Sequence, residues 1–186
     1  MDHPLDIQTG PIDGLLLVRP RQFGDDRGRF SETWRGAHFE AALGEPVTFV
    51  QDNESTSGVG VLRGLHFQVP GRAQGKLVRV VRGAALDVAV DLRRSSPTYG
   101  QHHSALLTGE NRWQFWVPPG FAHGFLTLEP DTVFSYKCTD IYSPEHERAL
   151  RWNDPDLQID WGVDAPLLSP KDADAPFFRD FETPFA

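Results

Sequence analysis

The chain has 186 residues, 26 Asp and Glu against 18 Lys and Arg, and a formal net charge of −8. That length suits one domain, burying roughly 70% of its unfolded surface, and the acidic balance argues against nucleic acid, whose partners carry a basic footprint. No apolar run approaches the ~20 residues of a membrane helix, and Met1, Asp2 and Asp6 begin the chain without the basic and apolar regions of a secretory signal. Cys138, the only cysteine, can build neither an intrachain disulfide nor a thiolate metal site, which agrees with a reducing cytoplasm. The charge is uneven: Arg63, Arg72, Lys76, Arg79 and Arg82 crowd the middle between acidic ends. A local positive patch of that kind suits a phosphorylated small molecule, or else a solvated strand edge.

In chain order, 15–18 reads as a short strand stopped by Pro20. Residues 23–34 open as a Gly- and Asp-bearing turn, then extend with Phe30, Glu32 and Trp34 on one face. Residues 35–43 suit one short helix closed by Gly44 and Pro46. A strand is expected over 47–53 and a polar loop over 54–60. Leu86, Val88, Val90 and Leu92 alternate with Asp87, Ala89 and Asp91, the period of a half-buried strand with one wet face. Residues 77–82 precede it across Gly83, so a hairpin is expected. Strands over 113–117, 124–128 and 132–139 continue the pattern, 145–150 is too short to assign, and the tail from Trp152 should lie irregularly over the sheet. Many short strands with one minor helix point to an all-β sandwich or barrel, best a jelly roll with short peripheral helices, in a single domain over 1–186.

Leu62-Arg63-Gly64-Leu65-His66-Phe67-Gln68 concentrates the chemistry. Strict alternation sends Arg63 and His66 to opposite faces; a bulge at Gly64 would re-aim one of them. Tyr136 should point inward with Phe134 and Cys138, and an inward phenol needs either a core hydrogen bond or a proton to deliver. Asp172, after Pro170 and Lys171, reads as a turn residue or as the carboxylate that orients an imidazole. The stretch 118–125 resembles half of a cupin metal motif with His123 as the would-be ligand. No H-x-H pair or Glu accompanies His66, His102 and His103 are adjacent and so diverge on a strand, and His3 and His38 stand in unpromising contexts, so no metal is expected. Gly58-Val59-Gly60 lacks the third glycine and the helix of a dinucleotide fingerprint.

In order, Phe23 to Trp34, Gln51-Asp52-Asn53-Glu54-Ser55, Gly60 to Gln68, Lys76-Leu77-Val78, Asp91-Leu92-Arg93, Gly120 to Phe125, Tyr136-Lys137, Tyr142, Trp152-Asn153-Asp154-Pro155 and Leu168 to Asp172 resemble the dTDP-4-dehydrorhamnose 3,5-epimerase family of metal-free cupins. One departure is Trp161-Gly162, where Trp-Pro is often found. The resemblance implies a cytoplasmic, jelly-roll homodimer without cofactor, acting on a dTDP-4-keto-6-deoxyhexose. It implies His66 as general base, Asp172 as its partner, Tyr136 as acid on the opposite sugar face and Lys76 near the 4-keto oxygen. Arg27, Glu32, Gln51, Asn53, Arg63, His123, Glu147 and Lys171 would line the nucleotide and sugar site, and Tyr142 would stack on or orient the pyranose. Relatives that invert carbon 3 or carbon 5 alone share these motifs; a metal-dependent cupin oxygenase and a non-catalytic sugar-nucleotide binding module are the readings from other classes.

Overall fold

The computed structural model describes residues 5–186; His3 lies outside them. Thirteen strands and two short helices follow in the order β1 (Leu5–Thr9), β2 (Leu16–Pro20), β3 (Gln22–Asp25), β4 (Gly28–Ser31), α1 (Gly36–Leu43), β5 (Gln51–Ser57), β6 (Leu62–Gln68), β7 (Lys76–Arg82), β8 (Ala84–Asp91), β9 (His102–Thr108), β10 (Gln114–Val117), β11 (Phe121–Thr127), β12 (Thr132–Cys138), β13 (Glu147–Ala149) and α2 (Pro170–Ala173). Two antiparallel sheets face each other, a six-stranded one ordered β1-β2-β10-β7-β12-β5 and a five-stranded one ordered β13-β6-β11-β8-β9. The hairpin β3–β4 stands apart. This is the jelly roll that the sequence implies.

β7 and β8, expected as a hairpin, do not pair. β7 lies between β10 and β12, whereas β8 lies between β11 and β9 in the other sheet. Gly83 turns that corner with φ +82, against Thr132, whose hydroxyl would lie 2.4 Å from an added Cβ; a side chain there meets both strain and a clash. The expected loop at 54–60 is also corrected: Glu54–Ser57 continue β5, while 47–50 are not strand. The expected strand after residue 28 ends at Ser31, short of Glu32 and Trp34.

Three apolar clusters hold the layers. Val78, Val80, Phe115 and Phe134 of the six-stranded sheet meet Ala85, Ala89, Leu107 and Phe125 of the other, with Phe125 stacked on Phe134 at 3.8 Å between centroids. A second cluster lies on the outer face of the five-stranded sheet, where Leu62, Leu65, Phe67, Val88 and Val90 are covered by Leu157, Trp161, Phe178, Phe181 and Phe185 of the tail. The third packs Phe39 of α1 with Trp116, Leu16 and Leu77 outside the other sheet. The tail buries the face of β8 that carries Val88 and Val90, and the opposing sheet covers the face that carries Ala85, Asp87 and Ala89, so the alternation read as one wet face fails: Asp87 and Asp91 are fully buried. Asp91 accepts hydrogen bonds from Arg93, Ser96 and Thr98. Asp87 serves the site described next. Gly162, where relatives often carry proline, has φ +71, a value that a proline ring forbids.

Candidate active site

β6 and β11 carry the central groups, and their pairing is irregular. His66 opposes His123, and Arg63 opposes Phe125, so three steps along β6 match two along β11. One surplus residue in β6 breaks the alternation, and Arg63 and His66 come to line the same cavity. Glycines make this possible. A Cβ on Gly64 would sit 2.5 Å from Gly124 Cα, and one on Gly124 would sit 2.9 Å from the Arg63 carbonyl oxygen.

The cavity has two lobes between the sheets. One, of about 430 Å³, is lined by Gln51, Asn53, Gln74, Tyr142 and Glu147. The other, of about 290 Å³, is lined by Ser55, Arg63, His123, Phe125, Lys171 and Asp172. His66, Lys76 and Tyr136 line both. His66 comes from the five-stranded sheet, whereas Lys76 on β7 and Tyr136 on β12 come from the six-stranded one. An imidazole and a phenol thus enter one hollow from opposite walls.

His66 Nε2 and Asp172 Oδ1 are 2.5 Å apart, which leaves Nδ1 for the cavity. Asp172 reaches this place from α2, whose start is set by Ser169: its hydroxyl accepts the Asp172 N–H, and Pro170 follows it. Burial pushes the Asp172 carboxyl up, but the His66 hydrogen bond, with Ser169 and Lys171, outweighs it and holds the carboxyl below its usual range. Such a carboxylate fixes the imidazole's tautomer and favours the imidazolium.

Lys76 donates only a long hydrogen bond, 3.5 Å, to the His66 carbonyl oxygen. Burial pulls its ammonium well down, and the acidic groups around it, Cys138, Asp87 and Glu147, do not compensate. Burial likewise raises the Tyr136 phenol, reinforced by Cys138 and opposed by Arg63, so the group stays protonated and able to donate.

The remaining residues that line the cavity form three sets of contacts. Tyr142 donates from its hydroxyl to Glu147 at 2.6 Å, and Glu147 also pairs with Lys171. Gln51 accepts the Tyr142 N–H and donates to Asn53. Arg63 donates to Ser57. His123 shares both oxygens of the buried Asp87 at 3.0 Å; Asp87 is a partner that the sequence reading placed on a wet face. The missed signal was a carboxylate amid apolar neighbours on a strand, which needs a partner once buried. Among the described residues no three His, Cys, Asp or Glu side chains are grouped to hold a metal ion.

Within one chain, Arg27 and Glu32 do not line the cavity. Arg27 sits at the β3–β4 turn, 90% exposed, donating to Asp25. Glu32 pairs with Arg35 at 2.6 Å. The strand expected to hold Phe30, Glu32 and Trp34 on one face stops at Ser31, one residue before Glu32.

A family model described as dTDP-4-dehydrorhamnose 3,5-epimerase matches residues 9–180. The dTDP-4-dehydrorhamnose 3,5-epimerase of Pseudomonas aeruginosa is 56% identical over 170 residues, covering 91% of this chain and 93% of that protein. The Legionella pneumophila 3,5-epimerase, solved in complex with dTDP-4-keto-L-rhamnose, superposes with a TM-score of 0.91 at 47% identity, over 96% of this chain and 95% of that one. A 3′-monoepimerase from Streptomyces bikiniensis, solved with dTDP-quinovose, gives 0.85 at 37% identity over 90% and 85%. With an imidazole–carboxylate pair, a phenol and a buried ammonium lining one hollow, and with this likeness over nearly its whole length, the chain belongs to the dTDP-4-dehydrorhamnose 3,5-epimerase family.

Proposed function

We propose that this chain inverts carbons 3 and 5 of a dTDP-4-keto-6-deoxyhexose through an enolate. The observation that carries this reading is His66 and Tyr136 lining one cavity from opposite sheets, with Lys76 alongside. Both carbons flank a ketone, so their protons leave once the enolate oxygen is stabilised. Neutral His66 takes the proton, and Asp172 stabilises the resulting imidazolium. Lys76 lowers the energy of the enolate by fixed charge in a site with little water. Tyr136 then delivers a proton to the other face, and inversion is complete.

The two lobes differ in their lining. Arg63 and Lys171 line the smaller lobe and suit the diphosphate. Tyr142, Gln51, Asn53 and Glu147 surround the larger lobe with hydrogen-bonding groups and one aromatic face, and His123, fixed by Asp87, faces the sugar. Double inversion is favoured over inversion at one carbon by the higher identity to the 3,5-epimerases, 56% against 37% for the monoepimerase.

We also propose a cytoplasmic homodimer, in a single domain over 1–186. As ligand groups, Arg27 and Glu32 require a second copy, and the exposed β3–β4 hairpin offers the means: Phe30 is 70% and Phe23 47% exposed beside Arg27. Aromatic anchors with a cation are what an interface uses. The buried free thiol of Cys138 suits a reducing compartment.

Four outcomes are expected. With dTDP-4-keto-6-deoxyglucose in D₂O, the chain incorporates deuterium at both carbons, and His66→Ala abolishes exchange while binding stays within about tenfold; exchange that persists refutes His66 as base. Tyr136→Phe still exchanges but forms little inverted product by NMR; full turnover refutes its role as acid. Lys76→Met slows exchange about 100-fold or more yet melts at least about 2 °C higher near neutral pH. The folded ammonium titrates below the ordinary value of 10.5, so the unfolded chain binds the extra proton and the native protein gains stability as pH rises through that window. The advantage of the methionine therefore shrinks toward pH 10.5, and a lower melting temperature for Lys76→Met refutes the cost of burial. Light scattering on protein from the soluble cytosolic fraction gives twice the chain mass; a monomer, or recovery with membranes, refutes the dimer or its compartment.

A further inference from the structure

Asp154 lies in the Trp152-Asn153-Asp154-Pro155 stretch, for which the proposed mechanism has no use. It is 2% exposed, and no basic side chain pairs with it among the described residues. Its hydrogen bonds go to backbone instead. Oδ1 accepts the N–H groups of Asp156 and Leu157 at 2.8 and 3.1 Å, and Oδ2 accepts that of Phe178 at 2.6 Å. A buried carboxylate held only by N–H groups is costly to keep, and a local turn accounts for just one of its oxygens. The other spans 24 residues, to the chain just beyond α2.

The residues around it show what that span ties together. Leu150 exchanges two backbone hydrogen bonds with Leu65, the neighbour of His66, at 2.9 and 3.2 Å. Arg151 donates its N–H to Pro176 and its Nε–H to Ala175, and its guanidinium lies 4.5 Å over Phe177. On the upstream side, Leu62 donates to Leu167 and Leu167 to Gly60. The stretch 168–174 that carries Asp172 is therefore fastened at both ends to β6, the strand that carries His66. The upstream fastening is backbone alone. The downstream one has a single backbone bond, from Arg151 N–H to Pro176, reinforced by two side chains, Arg151 and Asp154.

We propose that Asp154 is a positioning residue for proton abstraction: by pinning Phe178 it holds Asp172 at hydrogen-bonding distance from His66. This rests on the reading of His66 and Asp172 as base and partner. Asp154→Asn keeps the shape but turns one oxygen into a donor, so whichever way the amide faces, a backbone N–H loses its acceptor.

The test measures epimerisation kinetics of Asp154→Asn, Asp172→Asn and the double variant, with proton NMR of the downfield N–H shared by His66 and Asp172. The expected result is a fall in kcat of about tenfold to 100-fold, as for a small misplacement of a catalytic group, with KM within about threefold and the downfield resonance lost. On the Asp172→Asn background the second change has little further effect, because the two act through one contact. Wild-type kcat with the resonance intact overturns the proposal, and so does an equal loss of kcat on both backgrounds. Should Asp154→Asn fail to fold, Arg151→Gln carries the same test with a smaller expected loss, about threefold to tenfold; unchanged kcat and resonance there overturn it equally. Wild-type kcat for Asp172→Asn alone would instead refute the base–partner reading on which the proposal stands.

Discussion

The site depends on one extra residue in β6. Where β6 runs beside β11, the glycines at 64 and 124 let the backbones approach so closely that neither position has room for a Cβ. The surplus residue breaks the alternation of the strand, and Arg63 and His66 both line the cavity instead of dividing between core and surface. Without that irregularity, the positive charge and the imidazole would serve opposite faces of the sheet. A bulge beside a working site is a common device for re-aiming a side chain, and here it sets a guanidinium and an imidazole on one cavity wall.

Around it, the sandwich arranges dry walls and fixed charge. The Phe125–Phe134 stack fills the space between the sheets, and the aromatic tail closes the outer face of the five-stranded sheet. Each buried carboxylate of the site is then paired with an imidazole, Asp172 with His66 and Asp87 with His123. Lys76 is the exception. Its ammonium has no carboxylate partner within ion-pair distance among the described residues, so its burial is a cost carried by the unliganded protein. Function and stability pull apart at that position, as they often do where a site is built for a charge that arrives with the substrate.

Much of this was legible in the sequence. The inward face of Phe134, Tyr136 and Cys138 followed from simple alternation, and the helix over 36–43 from its closing Gly44. Gly64 marked the place where a bulge would re-aim Arg63 or His66. What could not be read is equally specific. A tight turn at Gly83 looks the same whether it joins two paired strands or turns a corner from one sheet into the other, because local sequence does not encode which neighbour a strand selects. Strands β1 and β9, polar and near the sheet edges, left no clear period. Asp87 and Asp91 read as a wet face because alternation does not reveal that the other sheet covers the face they share with Ala85 and Ala89. Asp172 was indistinguishable from a turn residue, since its contact with His66 spans 106 positions. Arg27 and Glu32 came to notice only through family resemblance, and in one chain they stay outside the cavity.

The central claim is that an imidazole and a phenol flank the sugar on opposite faces. A crystal structure with dTDP-6-deoxyglucose, which lacks the ketone and cannot react, tests it most directly. The predicted result places a His66 ring nitrogen and the Tyr136 oxygen on opposite faces of the pyranose, each within about 3.5 Å of carbon 3 or carbon 5, with the diphosphate against Arg63. A sugar with both groups on one face, or one bound outside the hollow between the sheets, would contradict it.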